Sequence, residues 1–158
     1  MLSCGDPSVD TLLNGGVAVG EWLHLDFDSL FGRDRCRRIL AEFAHNALGQ
    51  AVPVLVIDCG ARLTEPQAVV CRPQGLSELR SVLSALTDSA LQSTCVVVTD
   101  MDIALGSVIH LAPSRLASLD EQLYRLACSA GFLFTSSARF SRPVVDLSRV
   151  TVAVSEEP

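Results

Sequence analysis

The segment Phe27-Asp28-Ser29-Leu30-Phe31-Gly32-Arg33-Asp34 follows an alternating apolar stretch and leads into a helical pattern. A strand, a turn and a helix start in that order form the place where α/β proteins wrap phosphates with backbone N–H groups and the helix dipole. The working sequence there is Gly-x-x-x-x-Gly-Lys-Ser/Thr. Its glycines allow close backbone approach, its lysine meets the β- and γ-phosphates, and its hydroxyl holds magnesium. Of those parts only Gly32 is present. Phe27 stands at the first glycine, Arg33 at the lysine and Asp34 at the hydroxyl. Arg33 keeps the charge on a larger, planar group that is not a compact point charge. Asp28 and Asp34 add negative charge beside any triphosphate. By itself the octapeptide reads as an ordinary βα loop, and its surroundings give it meaning.

The rest of the chemistry-bearing inventory is sparse. The chain has no lysine, so every mechanism that needs a lysine point charge or nucleophile is excluded. Arg33, Arg35, Arg37 and Arg38 form the densest basic cluster. It reads either as a phosphate or nucleic-acid patch, extended by Arg139 and Arg142, or as the solvated start of a helix. A net charge of −6 repels phosphate backbones unless such groups are clustered. The six cysteines include no Cys-x-x-Cys pair, and no histidine stands at zinc-ligand spacing to them. Neither a metal site nor a disulfide framework is expected, and a reducing, intracellular setting is. His24, His45 and His110 are scattered and give no catalytic pairing. Trp22 reads as a residue packed at a strand edge rather than a base-stacking platform. Asp100 and Asp102 read either as a metal pair or as a relic acid followed by a helix cap.

The elements that must position these residues follow from periodicity. Ser8–Leu13 reads as a short helix stopped by Asn14-Gly15-Gly16. Glu21–Leu25 alternates as a strand, Asp26–Phe31 reads as an irregular turn, and Arg33–Leu48 has apolar residues at three- and four-residue spacing. Val52–Ile57 and Thr94–Thr99 are near-continuous apolar runs, as in strands buried on both faces of a parallel sheet. Gln67–Cys71 and Phe132–Ser136 add strands, and Val144–Leu147 with Val150–Val154 are expected to close the sheet. Leu76–Leu86 and Ser118–Ala130 are the remaining helices. Strands alternating with helices predict βαβ units, a mostly parallel sheet and helices on both faces. One domain over 1–155 is expected, with 156–158 as a tail. No apolar run is long enough to span a membrane, and no signal peptide is expected.

Four segments in order resemble the RecA/RadA recombinase family, and within it the eukaryotic recombinase paralogues. Ser3-Cys-Gly-Asp-Pro-Ser-Val-Asp-Thr-Leu-Leu-Asn-Gly-Gly-Val-Ala-Val-Gly20 is similar to the family's opening motif. Gly49-Gln-Ala-Val-Pro-Val-Leu-Val-Ile-Asp58 looks like its second strand. Cys95-Val-Val-Val-Thr-Asp100 looks like its Walker B strand with the magnesium-directing Asp. Leu119–Ser136 looks like the helix and strand that follow. The resemblance covers roughly residues 3 to 140. It implies an α/β, RecA-like P-loop core, truncated relative to the family.

The departures lie in the parts that turn over ATP. The resemblance places the catalytic Glu where this chain has Gly60. The degenerate nucleotide site is therefore Phe27, Gly32, Arg33, Asp34, Gly60 and Asp100, and ATP is not expected to bind. The segment Cys59–Pro66 is too short for the family's usual helix, and Arg139–Pro143 leaves no room for its DNA-contacting loop. No Phe is followed by Ala three residues later, as in the family's self-association motif. The expected function is that of a non-catalytic subunit in homologous recombination and DNA repair. It would work in a hetero-oligomer with another RecA-like paralogue or a recombinase subunit, touching DNA indirectly or weakly. A nuclear location is expected in a eukaryote and a cytoplasmic one otherwise. Two other readings stand beside it: a RecA-fold pseudoenzyme outside recombination, such as an Elongator-type accessory subunit or a bacterial mutagenesis factor, and a weak ATP-binding protein using Arg33 and Asp100.

Overall fold

The computed structural model describes residues 1–60, 68–87, 93–105, 113–138 and 150–154. The chain begins with α1 (Pro7–Leu12), which Asp6 caps by accepting from the Ser8 and Val9 N–H groups at 3.1 and 3.2 Å. Pro7 lies in its first turn, where a missing N–H costs nothing. Strand β1 (Trp22–Phe27) leads into the long helix α2 (Leu30–Gly49). Then follow β2 (Val54–Asp58), β3 (Val69–Cys71), α3 (Leu76–Thr87) and β4 (Cys95–Thr99). The short helix α4 (Met101–Leu105), α5 (Pro113–Ser129), β5 (Phe132–Ala138) and β6 (Val150–Ala153) complete the order.

The six strands form one sheet in the order β3-β2-β4-β5-β1-β6, and every pairing is parallel. The expected α/β architecture with helices on both faces is therefore present. The cause is visible in the central strands. All of β4 is buried, and its residues alternate between two cores. Cys95 and Val97 join α2 on one face, with Leu25, Phe43 and Phe134. Val96 and Val98 join α3 and α5 on the other, with Leu79, Leu83, Leu123 and Leu126. Phe43 of α2 stacks on Phe134 of β5 with ring centroids 4.3 Å apart. Strands buried on both faces need this near-continuous apolar sequence, which is why Val52–Ile57 and Thr94–Thr99 were legible.

The connection from β1 to α2 differs from expectation. Residues 26 to 31 do not form an irregular turn. The strand runs on through Asp26 and Phe27, which pair with β5 and, at Asp26, with β6. The helix already starts at Leu30. Only Asp28 and Ser29 lie between. Ser29 makes the abrupt start possible: its hydroxyl accepts the Gly32 N–H at 3.0 Å, an N-cap that fixes the first turn. Helix α5 also starts earlier than the periodicity indicated, at Pro113. The expected strand Val144–Leu147, the segment Arg139–Pro143, most of Cys59–Pro66 and the tail 156–158 lie outside the described residues.

Candidate functional site

Ligands in open α/β sheets bind beyond the carboxyl ends of strands, where the chain's path across the sheet reverses. In this sheet the connection after β2 leads outward to β3, whereas that after β4 leads the other way to β5. The crevice between β2 and β4 is such a reversal. The register brings their ends level, Asp58 beside Thr99, and brings Phe27 of β1 beside Ala138 of β5. Phe27, Gly32, Arg33, Gly60 and Asp100 come together at this edge, with Asp34 at its margin.

At the centre stands Asp100, 1% exposed and at φ 55°, in the left-handed region that Asp tolerates better than most residues. The turn is held by its own N–H, which donates to Ser136 Oγ at 3.0 Å. Its carboxylate accepts from Arg33 Nη1 at 2.8 Å and from Arg37 Nε at 2.9 Å. These arginines are one helical turn apart, so α2 presents both to the same acid. Arg33 then reaches Asp102 at the start of α4, with Nη2 2.5 Å from Oδ2. Asp102 also accepts the Ala138 N–H at 3.1 Å. The Arg33 guanidinium lies over the Phe27 ring, 4.6 Å from its centroid. Burial acts to lower the Arg33 pKa, but hydrogen bonds and charge from Asp102 and Asp100 outweigh it and hold it above its ordinary value. The result is an ion-pair clamp tying α2 to the ends of β4 and β5.

The clamp accounts for the residues found at positions 60 and 32. A Cβ on Gly60 would collide with the Asp100 carboxylate and stand 3.1 Å from Arg37 Nη2. A carboxylate side chain at position 60 would meet the acid that the arginines already hold. A Cβ on Gly32 would lie 2.9 Å from Phe27 Cβ and 3.1 Å from the Val154 carbonyl oxygen. Gly32 therefore serves the close approach of α2 to the sheet. Phe27 faces the α2 core, 2% exposed, and does not intrude into a loop, because no such loop is present. Asp34 stands apart from the centre, 64% exposed, with a 3.4 Å pair to Arg37.

These residues do not fit a nucleoside triphosphate. The two guanidiniums are matched by three carboxylates, Asp34, Asp100 and Asp102, so the edge offers no net positive charge to phosphate. The Gly32 N–H is taken by Ser29. Asp100 and Asp102, read as a possible metal pair or as relic and cap, are both partners of Arg33. Among the described residues no group of three or more His, Cys, Asp or Glu is placed to hold a metal ion. Asp58, fully buried, accepts from Thr99 Oγ1 at 2.9 Å, with Arg72 Nε 3.7 Å away. The nearby Cys59 thiol is pushed up to about 12, first by burial and then by the charges of Asp58, Asp100 and Asp102. A thiol so protonated is no nucleophile.

The expected single basic patch is corrected by helical geometry. Arg33 and Arg37 turn toward Asp100, while Arg35 turns to the opposite side. Arg35 is 6% exposed and grips Asp6 through Nε at 3.2 Å and Nη2 at 2.9 Å. Only Arg38 of the four faces solvent. Three of the four guanidiniums are thus neutralised within the chain.

One buried polar group was not found from sequence. Trp22 Nε1–H donates to Thr135 Oγ1 at 2.9 Å, and His24 Nδ1 lies 2.7 Å from that oxygen. His24 Nε2 lies 3.2 Å from Ser137 Oγ. Trp22 and His24 alternate on β1 as Thr135 and Ser137 do on β5. The parity was readable, but the pairing of these two strands was not. Trp22 is a fully packed residue of an interior strand, not of an edge.

No family model matches this chain, and the search of curated proteins found no match. No helix among the described residues is long and apolar enough to cross a membrane.

Proposed function

We propose that this chain is a non-catalytic RecA-like subunit that supports homologous recombination and DNA repair by docking on a RecA-like partner or a recombinase filament. The observation that carries the reading is the clamp of Arg33, Arg37, Asp100 and Asp102, which lies at the carboxyl edge where a RecA-like ATPase would hold phosphates and magnesium. Phosphoryl transfer depends on fixed positive charge at the transferring group. Here that charge is spent on the protein's own carboxylates. The parallel α/β sheet and the ordered resemblance of Ser3–Gly20, Gly49–Asp58, Cys95–Asp100 and Leu119–Ser136 supply the family side of the reading. In it, DNA is touched through the partner or weakly, since most of the arginine cluster is neutralised. The setting is the nucleus in a eukaryote and the cytoplasm otherwise.

Two measurements test it. Calorimetric titration with magnesium-ATP at millimolar concentration is expected to give no heat and no shift in melting temperature. A saturable heat would restore the ATP-binding reading. Purification of the tagged chain from its own cells is expected to recover a RecA-like protein. Recovery of none under native conditions would overturn the docking role.

A further inference from the structure

The solvent face of α2 meets the clamp only through Asp34, whose carboxylate lies 3.4 Å from Arg37. Its exposed positions are Phe31, Asp34, Arg38, Glu42, His45 and Gly49, three and four residues apart, hence one stripe. Phe31 is 68% exposed at the head of that stripe. A lone exposed apolar residue is ordinary, and by itself Phe31 carries nothing. About two turns farther along, however, the stripe borders a notch of about 450 Å³ between α2 and the segment before α1. Asp6, Arg35, Arg38, Ile39 and Glu42 are among the residues that line it. The Arg35–Asp6 pair, already neutral, is itself part of the notch wall.

We propose that this face is a self-association surface, on which a second copy of the chain packs its α2 antiparallel to the first. A two-fold axis level with Cys36 satisfies both features at once. It sets Phe31 of each copy opposite residue 41 of the other, between the Ile39 and Glu42 walls of the notch. It sets Asp34 of each copy opposite Arg38 of the other. A two-fold interface uses one patch on both partners, so a patch must be complementary to itself under reversal. The order aromatic, acid, base, notch has that property. The occupant is argued from this charge and shape complementarity, and an aromatic side chain seated in a pocket is the usual energetic centre of such a contact. The association needs only this chain and is independent of the proposed function.

Sedimentation of the purified full chain, from low micromolar to near-millimolar concentration, tests the proposal. A monomer–dimer equilibrium is expected. Phe31→Ala, Asp34→Arg and Arg38→Asp are each expected to raise the dissociation constant by at least about tenfold, since every substitution acts twice in a symmetric dimer. The double variant Asp34→Arg/Arg38→Asp reverses the pair and is expected to recover to within about threefold of the original chain. All three positions are exposed, so melting temperatures close to that of the original chain are expected and serve as the folding control. A chain monomeric throughout, a dimer indifferent to Phe31→Ala, or a double variant no better than the single ones would overturn the proposal. Phe31 lies outside the clamp, so loss of the dimer in Phe31→Ala would leave the ATP and partner tests untouched.

Discussion

Asp100 accepts from two guanidiniums while almost fully buried, and both arginines come from one helix. Removing one member of such a set leaves charges that burial has already desolvated. Asn in place of Asp100 keeps the side-chain shape and tolerates the positive φ, so the substitution isolates the charge. Asp100→Asn is expected to lower unfolding free energy by about 2–3 kcal/mol, below the fully buried case because Arg33 and Arg37 keep some solvent contact. Urea denaturation reads this. A change under about 0.5 kcal/mol would place the clamp among surface pairs that contribute little. At this scale the sequence was informative about identity and silent about partnership. Arg33, Asp34 and Gly60 stood out because each departs from a residue with a known chemical duty. That Arg33 answers Asp100, and that Gly60 makes room for the answer, depends on contacts 67 and 40 residues apart.

Besides apolar packing, polar side chains at their ends help to join the elements. Asp6 shows this most clearly, since it caps α1 and also binds Arg35 of α2. Burial acts to raise its pKa, but the Arg35 hydrogen bonds, the Val9 and Ser8 N–H groups and the Arg35 charge outweigh it. The net pKa lies below the ordinary carboxylate value. A carboxyl with a depressed folded pKa stabilises the fold above the unfolded pKa, near 3.9, and loses that contribution as pH falls through the folded value. Asp6→Asn retains an N-cap of equal quality but not the charge. Its stability is therefore expected to be lower at neutral pH and to vary less than that of the original chain below about pH 4. Parallel pH series of thermal melts would show this, and curves that stay parallel into acid would refute it. Most elements were legible in the sequence because their apolar periods are strong, as in Leu76–Leu86. The β1–α2 connection was not. Asp26 and Phe27 look like loop residues until β5 and β6 pair beside them, and Ser29 as a cap is visible only once the helix start is known.

Across the whole molecule, one sheet separates two apolar cores and is shared by both. Neither core has strands of its own, so loss of one strips a face from the other. Unfolding is therefore expected in a single step. Trp22, the sole tryptophan, is buried in the α3–α5 core, while far-UV circular dichroism also reports α2 on the opposite face. The midpoints of Trp22 emission and helix loss in denaturant are expected to coincide. Separate midpoints would mean that the two faces unfold independently.

The sequence by itself determined the class of fold and the lack of a lysine for a Gly-x-x-x-x-Gly-Lys-Ser/Thr loop. Apolar runs of strand length between amphipathic helices leave few arrangements other than a covered parallel sheet. A chain without lysine cannot supply the lysine of that loop, whatever its tertiary structure. The tertiary structure decided what stands in the loop's place. Whether four neighbouring arginines form an anion patch depends on which way each one leaves its helix and which acids wait there. Asp6 comes from one part of the chain, and Asp100 with Asp102 from another. Side-chain charge is encoded locally, but its neutralisation is a property of distance, and distance between remote segments exists only after the sheet has formed.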